Sequence, residues 1–290
     1  MEAVNLVGGV LYLLISAILF VVNVAVLITT LQFKENGYIS ITYRIMKNLC
    51  IACILQLVVF FLGGLMTFYG NSFSATLERI AGSIIQSAWV LYIALELTLA
   101  IDRMMTFFQS HLGSKLSYLL LGLSWMHAIA HAIVLLLPGY GVIYCFEEVC
   151  LTWNYDGRLP GSIFIYQVER WFLWGAEIGI LVCYVIVVIR LVWMRRVSSP
   201  NHKMSNTETK ILFVSIISFV YESFLILLLY FGYLIIPSTM GIGVMINVLW
   251  MLDAGLFSCA TIIINTSMRS KMFSMFHKKT IVTRVTSFYT

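Results

Sequence analysis

The chain has 290 residues and a net charge of +5, with 61% hydrophobic and only 11% charged residues. Soluble proteins carry charged side chains at about a quarter of their positions, so this composition excludes a soluble globular protein and indicates a polytopic membrane protein. The positive charge follows the membrane topology described below and therefore does not indicate nucleic-acid binding.

Seven stretches are apolar over the ~20 residues that a helix needs to cross the ~30 Å hydrocarbon layer. We predict membrane spans at residues 7–31, 45–69, 80–105, 116–137, 164–194, 211–236 and 240–264. The predicted fold is an all-α membrane protein, a seven-transmembrane helix bundle that forms a single domain over residues 1–290. Beyond the last span, apolar residues recur at helical spacing between basic ones. This pattern predicts a short amphipathic eighth helix at about residues 266–277, lying on membrane lipid at the cytoplasmic surface.

The basic residues predict the orientation of the bundle. All but three of the 18 Lys and Arg residues fall on one side of the predicted spans, and the exceptions are Arg79, Arg158 and Arg170. Basic residues concentrate in cytoplasmic loops, so we predict an extracellular N-terminus and a cytoplasmic C-terminus. No cleavable signal peptide is visible, and we expect the first span to act as its own insertion signal.

The third predicted span ends in an acid–base pair. Between Ile80 and Ile101 its one ionisable side chain is Glu96, and Asp102 and Arg103 follow directly. A span that ends in Leu-Ala-Ile-Asp-Arg resembles the third helix of G-protein-coupled receptors. The resemblance implies that Asp102 holds Arg103 at rest and releases it for G-protein coupling. An ordinary membrane helix with a charged end is the alternative.

A second set of motifs narrows the resemblance. The second span opens with Tyr-Arg-Ile-Met at Tyr43–Met46, and Gly64, Gly70, Gly82 and Trp89 follow. Together with Leu-Ala-Ile-Asp-Arg, these residues resemble the nematode serpentine chemoreceptors, class T most closely. The resemblance implies a plasma-membrane chemoreceptor that binds an external small molecule and signals to a heterotrimeric G protein without a cofactor.

Three polar residues inside the spans form a candidate intramembrane switch. Asn23 interrupts an apolar run, and its amide needs a partner within the bundle. Cys53 stands where receptors of the resembled type place a sodium-binding aspartate, and a neutral thiol cannot replace that ligand. Asp253 lies in the same half of the bundle, as if the acid had moved between helices. Asn23 as a packing residue and Asp253 as a protonated structural carboxyl are the alternatives.

Ionisable groups within spans are costly and are therefore functional candidates. Glu96, Glu177, Glu222 and Asp253 have no basic partner inside the predicted spans, so some must be neutral, hydrogen-bonded or hydrated. We predict a ligand pocket between the third, fifth, sixth and seventh helices. Its candidate lining residues are Trp89, Tyr92, Trp174, Glu177 and Trp250. Aromatic walls with few polar groups suit a small, partly apolar ligand.

The longest external loop contains Cys145 and Cys150. Receptors of the resembled type tie this loop to the third helix through a cysteine, but none lies near Arg79. A local Cys145–Cys150 disulfide and two free thiols remain the alternatives.

Two other functions fit the sequence less well. A transporter or channel would favour repeated halves, and we find no internal repeat. A seven-helix membrane hydrolase would need about three histidines near a carboxylate for its zinc ion. His127 and His131 share one helix face, but the spans offer no third histidine. We therefore predict a protein that is not an enzyme and has neither a metal nor a cofactor.

Overall fold

The structure is a computed structural model that describes residues 2–32, 41–108, 112–146, 151–197, 206–235 and 239–275. Its seven long helices are α1 (Glu2–Leu31), α2 (Ile41–Tyr69), α3 (Ala75–Phe107), α4 (Gly113–Leu136), α5 (Pro160–Val197), α6 (Asn206–Phe231) and α7 (Met240–Ile264). All seven are long and apolar enough to cross a bilayer. A short α8 follows at residues 266–275. The predicted all-α seven-helix architecture with an eighth helix is confirmed.

Most predicted boundaries agree with the helices to within a few residues, but the end of the sixth span was predicted too late. Helix α6 ends at Phe231, and a 3-10 turn follows at Gly232–Leu234. Glycine loses more conformational freedom than other residues when it joins a helix, which explains a stop before the apolar run ends. The fifth helix begins at Pro160, whose fixed φ suits the first helical turn.

Helix α3 is the centre of the bundle. In its most apolar stretch 83% of the residues are buried, whereas the corresponding fraction for α4 is 22%. It packs against α2, α4, α5 and α6. The outer half of α3 carries Ala81, Gly82, Ser83 and Ser87, all buried, and small side chains of this kind let neighbouring backbones approach closely.

The external loop folds into a β-hairpin that the sequence did not predict. Strand β1 (Val142–Tyr144) pairs antiparallel with β2 (Trp153–Tyr155), and Tyr144 lies opposite Trp153. Both of these aromatic side chains are buried. The hairpin is bonded to two distant helices: the Tyr12 hydroxyl of α1 donates to the Leu151 carbonyl at 3.0 Å, and Thr152 donates to Asn247 of α7 at 2.7 Å. It therefore covers the end of the bundle where α2 finishes and α3 begins.

Candidate functional site

Asp102 and Arg103 form a closed polar cluster at one end of α3. Arg103 Nη2 lies 2.6 Å from Asp102 Oδ2, and each residue is only 3% exposed. Thr42 of α2 donates to Asp102 Oδ2 at 2.9 Å and accepts a hydrogen bond from Arg103. Ser117 of α4 donates to Asp102 Oδ1 at 3.0 Å. The carboxylate is thus the point at which three helices meet.

The structure places the side chains of Asp102 and Arg103 in the paired arrangement that the resemblance implied. The two hydroxyl partners, Thr42 and Ser117, were not predicted. Hydroxyl side chains are common in membrane helices, and the sequence does not indicate which of them contacts Asp102. The roles of Thr42 and Ser117 follow only from the packing of α2 and α4 against α3.

Asn23 connects α1 to α7. Its amide Nδ2 donates to the carbonyls of Leu19 at 2.9 Å and Ala254 at 3.1 Å, and its Oδ1 accepts from Ser258 at 2.7 Å. Cys50 of α2 lies 3.7 Å from the same Ser258 hydroxyl. The Ser258 hydroxyl of α7 therefore links α1 and α2.

Cys53 and Asp253, the other switch candidates, lie near each other, and one Asn23 bond reaches Ala254, the residue next to Asp253. Both are buried, and the Cys53 thiol is in electrostatic contact with Asp253 and with Glu96 of α3. Asp253 Oδ1 has no hydrogen-bond donor among the described residues. The acid of α7 thus lies beside the α2 position that lacks one.

Acids from four helices converge around this point. Glu96, Glu222 and Asp253 are at most 3% exposed, and Glu177 of α5 is 7% exposed. Each interacts electrostatically with at least one of the others. Within the described residues, none of the four forms an ion pair with a Lys, Arg or His.

Two predicted pocket aromatics meet just beyond these acids. The rings of Trp89 and Trp250 lie edge to face with centroids 5.2 Å apart, and Phe60 of α2 also packs edge to face on Trp250 at 5.3 Å. Neither indole N–H has a partner among the described residues. Tyr92 donates to Glu96 Oε1 at 2.8 Å. Buried indole N–H groups usually find an acceptor. These two N–H groups could therefore donate hydrogen bonds to a ligand bound in this part of the bundle.

The two remaining pocket candidates, Glu177 and Trp174, lie in different parts of the bundle. Glu177 accepts a bond from Ser223 of α6 at 2.6 Å and belongs with the buried acids. Trp174 packs instead on Tyr230 and Phe231 at the last turn of α6. The structure therefore brings together Trp89, Tyr92, Trp250 and Glu177 around the acids, whereas Trp174 lies at the outer end of the bundle.

A second polar cluster is centred on Glu169 of α5. Glu169 is only 3% exposed. Its carboxylate accepts from Gln86 of α3 at 2.7 Å and from the Tyr155 hydroxyl of β2, and lies 3.2 Å from His131 of α4. His127 does not join this cluster and packs on Phe172. Gln86, Tyr155 and His131 together satisfy the Glu169 carboxylate inside the protein.

The hairpin is attached to α3 without a disulfide to that helix. Glu78 Oε1 accepts the Tyr144 backbone N–H at 2.8 Å. A Cβ at Gly82 would collide with the Val142 carbonyl, so only glycine permits this approach. Burial raises the pKa of the Tyr144 hydroxyl, which therefore stays protonated and able to donate to Leu151. Cys145 is disulfide-bonded, while Cys150 lies outside the described residues, so their pairing stays a prediction.

Comparison with known protein families assigns the chain to a receptor family. A family model described as serpentine type 7TM GPCR chemoreceptor Srt matches residues 3–285. The match covers the seven helices, the hairpin and α8. Among curated proteins, none matches the chain.

Proposed function

Because the chain belongs to the serpentine chemoreceptor family Srt, we propose that it binds an external small molecule and signals to a heterotrimeric G protein. The family assignment confirms the resemblance to class T and makes this a chemoreceptor of the membrane. The buried Asp102–Arg103–Thr42–Ser117 cluster is the observation that carries the signalling half of the proposal.

The cluster suits a switch because its charges are satisfied only in the closed arrangement. Arginine is permanently charged and has five N–H donors. At 3% exposure, Arg103 relies on Asp102 and Thr42 to compensate its charge. Separation of α2 or α4 from α3 would free the guanidinium for an acidic or carbonyl partner, as G-protein coupling requires.

The ligand half of the proposal rests on Trp89, Trp250 and Tyr92. They lie beneath the hairpin end of the bundle, and the two indole N–H groups have no partner in the described part of the chain. A ligand with one acceptor and an apolar body would satisfy an indole and pack on the rings. Its binding would shift the population toward the open cytoplasmic end.

The coupling test uses cells that express the chain with a second-messenger readout and a ligand panel. We expect Arg103→Ala and Arg103→Lys to abolish the response at unchanged surface delivery, because the ammonium of lysine cannot reproduce the planar fork. Arg44→Lys is the matched control, since Arg44 is exposed and lies over Tyr118. A full response in both Arg103 variants would contradict the mechanism.

The pocket test compares two tryptophans. Trp89→Leu should lower ligand sensitivity up to about tenfold, since an aromatic contact is worth about 0.5–1.5 kcal/mol. Trp171→Leu should leave sensitivity unchanged, because Trp171 is 74% exposed on the outside of the bundle. An equal loss in both variants, or none in either, would argue against this pocket.

A further inference from the structure

Three basic side chains gather where α2 and α4 begin. Arg44 and Lys47 lie in the first two turns of α2, one helical turn apart, and Lys115 lies in the first turn of α4. Arg44 and Lys115 are exposed, and Lys47 is half-buried. Within the described part of the chain, none of the three forms an ion pair with Asp or Glu. Like charges that lie close together repel one another, so this group favours an anion from outside the chain.

The two helix starts are held at one level by a shared carboxylate. Thr42 of α2 and Ser117 of α4 both donate to Asp102, at 2.9 Å and 3.0 Å. The Asp102 carboxylate is buried, and Arg103 already compensates its charge. The first turns of α2 and α4 therefore lie side by side, and their cations surround one place on the outer surface.

Two further contacts between α2 and α4 define a groove at this place. The Arg44 guanidinium lies over the Tyr118 ring of α4, 5.6 Å from its centroid. Deeper in the membrane, Trp125 Nε1 donates to Asn48 Oδ1 at 3.0 Å. Lys115 precedes Tyr118 by three residues, and residues with this spacing are neighbours on a helix surface. A cation of α2 and a cation of α4 are thus both close to Tyr118.

We propose that this groove binds an anionic phospholipid, whose phosphate lies between Arg44, Lys47 and Lys115 and whose acyl chain follows α4 into the membrane. Arginine and lysine are the side chains that bind phosphate. Tyrosine is enriched at the membrane–water interface, and Tyr118 marks that depth beside the cations. They lie on the side of the bundle predicted to be cytoplasmic, where the anionic lipids of a cell membrane are concentrated.

The apolar surface beside the cations favours a lipid over a soluble anion. Leu119 and Leu123 of α4 are exposed just beyond Tyr118, in a helix that is apolar enough to cross a bilayer. A free phosphate or an acidic peptide would use the cations and leave this surface without a partner. A phospholipid meets both needs, because its acyl chains continue from the phosphate into the hydrocarbon layer.

Binding should also stabilise the bundle, because the phosphate would join two helices. Arg44 and Lys47 belong to α2 and Lys115 belongs to α4, and the same two helices meet at Asp102. A bound lipid therefore holds α2 and α4 together around the buried carboxylate. This consequence follows from the contacts alone and does not depend on the proposed function.

Native mass spectrometry of the purified full chain in a neutral detergent measures the first lipid-binding step. The probes are dioleoylphosphatidylserine and dioleoylphosphatidylcholine, which have the same acyl chains and differ in net charge. A cation near the membrane surface contributes about fivefold to the binding of an anionic lipid. Phosphatidylserine should therefore bind the parent chain between roughly fivefold and 100-fold more tightly than phosphatidylcholine.

Lys115→Gln supplies the decisive comparison. It should weaken phosphatidylserine binding roughly fivefold, whereas Lys115→Arg keeps the positive charge and should bind like the parent chain. Arg44→Gln should weaken binding to a similar extent from the other helix, and Arg44→Lys should not. The matched control is Lys210→Gln, which removes one positive charge from the start of α6, where Lys210 donates to Thr266. This control should leave lipid binding unchanged.

Equal affinity of the parent chain for the two lipids would overturn the proposal. An equal loss in Lys115→Gln and Lys210→Gln would also overturn it, since lipid would then respond to net charge and not to this groove. Competition identifies the occupant. Glycerophosphoserine, which lacks acyl chains, and a hexaglutamate peptide should not displace phosphatidylserine at equal concentration. Displacement by either would show a site for a soluble anion and contradict the lipid assignment.

Discussion

At the residue scale, small side chains decide how the large elements meet. The Thr42 and Ser117 hydroxyls orient Asp102 from two helices, and Ser258 orients Asn23. Gly82 admits the Val142 carbonyl by having no side chain at all. Each is small, and each fixes a contact between elements far apart in sequence.

Gly82→Ala should destabilise the receptor by about 1–3 kcal/mol, because the added methyl meets backbone, which cannot move aside as a side chain could. Thermal unfolding of purified protein measures the effect. Gly122→Ala is the matched control: it is also helical, and a Cβ there meets nothing within 4 Å. This control should be neutral or slightly stabilising. Equal unfolding temperatures for the two variants would contradict the close packing of hairpin and helix.

Thr42→Val should raise basal G-protein activation, because valine keeps the shape of threonine but removes the hydroxyl shared by Asp102 and Arg103. Hydrogen bonds to charged groups contribute about 1.5–3 kcal/mol, so the resting state should lose roughly that much stability. Thr42→Ser retains the hydroxyl and should behave like the parent chain. Basal second-messenger levels, normalised to surface expression, provide the measurement, and unchanged levels in Thr42→Val would refute this role.

At the scale of elements, the hairpin is the least expected part of the molecule. Its strands are only three residues each, yet it contacts α1, α2, α3 and α7 through Tyr12, Thr67, Glu78 and Asn247. Such short strands are not stable alone. The hairpin is held by these hydrogen bonds and by burial of its aromatic side chains, without a covalent bond to α3.

The junction between β2 and α5 should weaken in acid. Asp156 accepts three hydrogen bonds from Arg158, which lower the pKa of the Asp156 carboxyl below its usual value. A lowered folded-state pKa stabilises above the unfolded value of about 3.9 and is lost as pH falls through the folded one. Arg158 is 78% exposed, so the effect should stay below about 1 kcal/mol.

The measurement is the unfolding temperature from pH 7 down to pH 3, compared between the parent chain and Asp156→Asn. The variant should be slightly less stable at pH 7, and the difference should narrow as the pH falls toward 3. A constant difference across this range would show that the Asp156 charge contributes nothing.

At the scale of the whole molecule, acidic and basic residues occupy different regions. The apolar bundle encloses acids from four helices, whereas almost all Lys and Arg residues lie on one side of the spans. The second feature predicts the orientation, and the first places acids of α3, α5, α6 and α7 inside the bundle.

The topology should be visible with epitope tags on intact cells. A tag before Met1 should be accessible without permeabilisation, and a tag after Thr290 only after it, because basic residues stay cytoplasmic. The reverse pattern would place Arg103 outside the cell and end the proposed coupling.

The sequence by itself determined the architecture of this protein. Seven apolar runs, one acid–base pair and a few short motifs predicted the helix bundle and the receptor family, because lipid demands long helices whose backbone bonds are satisfied internally. Only the tertiary structure decided which polar side chains contact one another and which aromatic residues lie together. The Thr42–Asp102 and Glu78–Tyr144 contacts each join residues distant in sequence, and Trp174 packs on Tyr230 and Phe231 at the last turn of α6. Spans are specified locally by hydrophobicity, whereas polar partners are specified by which helix faces meet, and no local pattern records that.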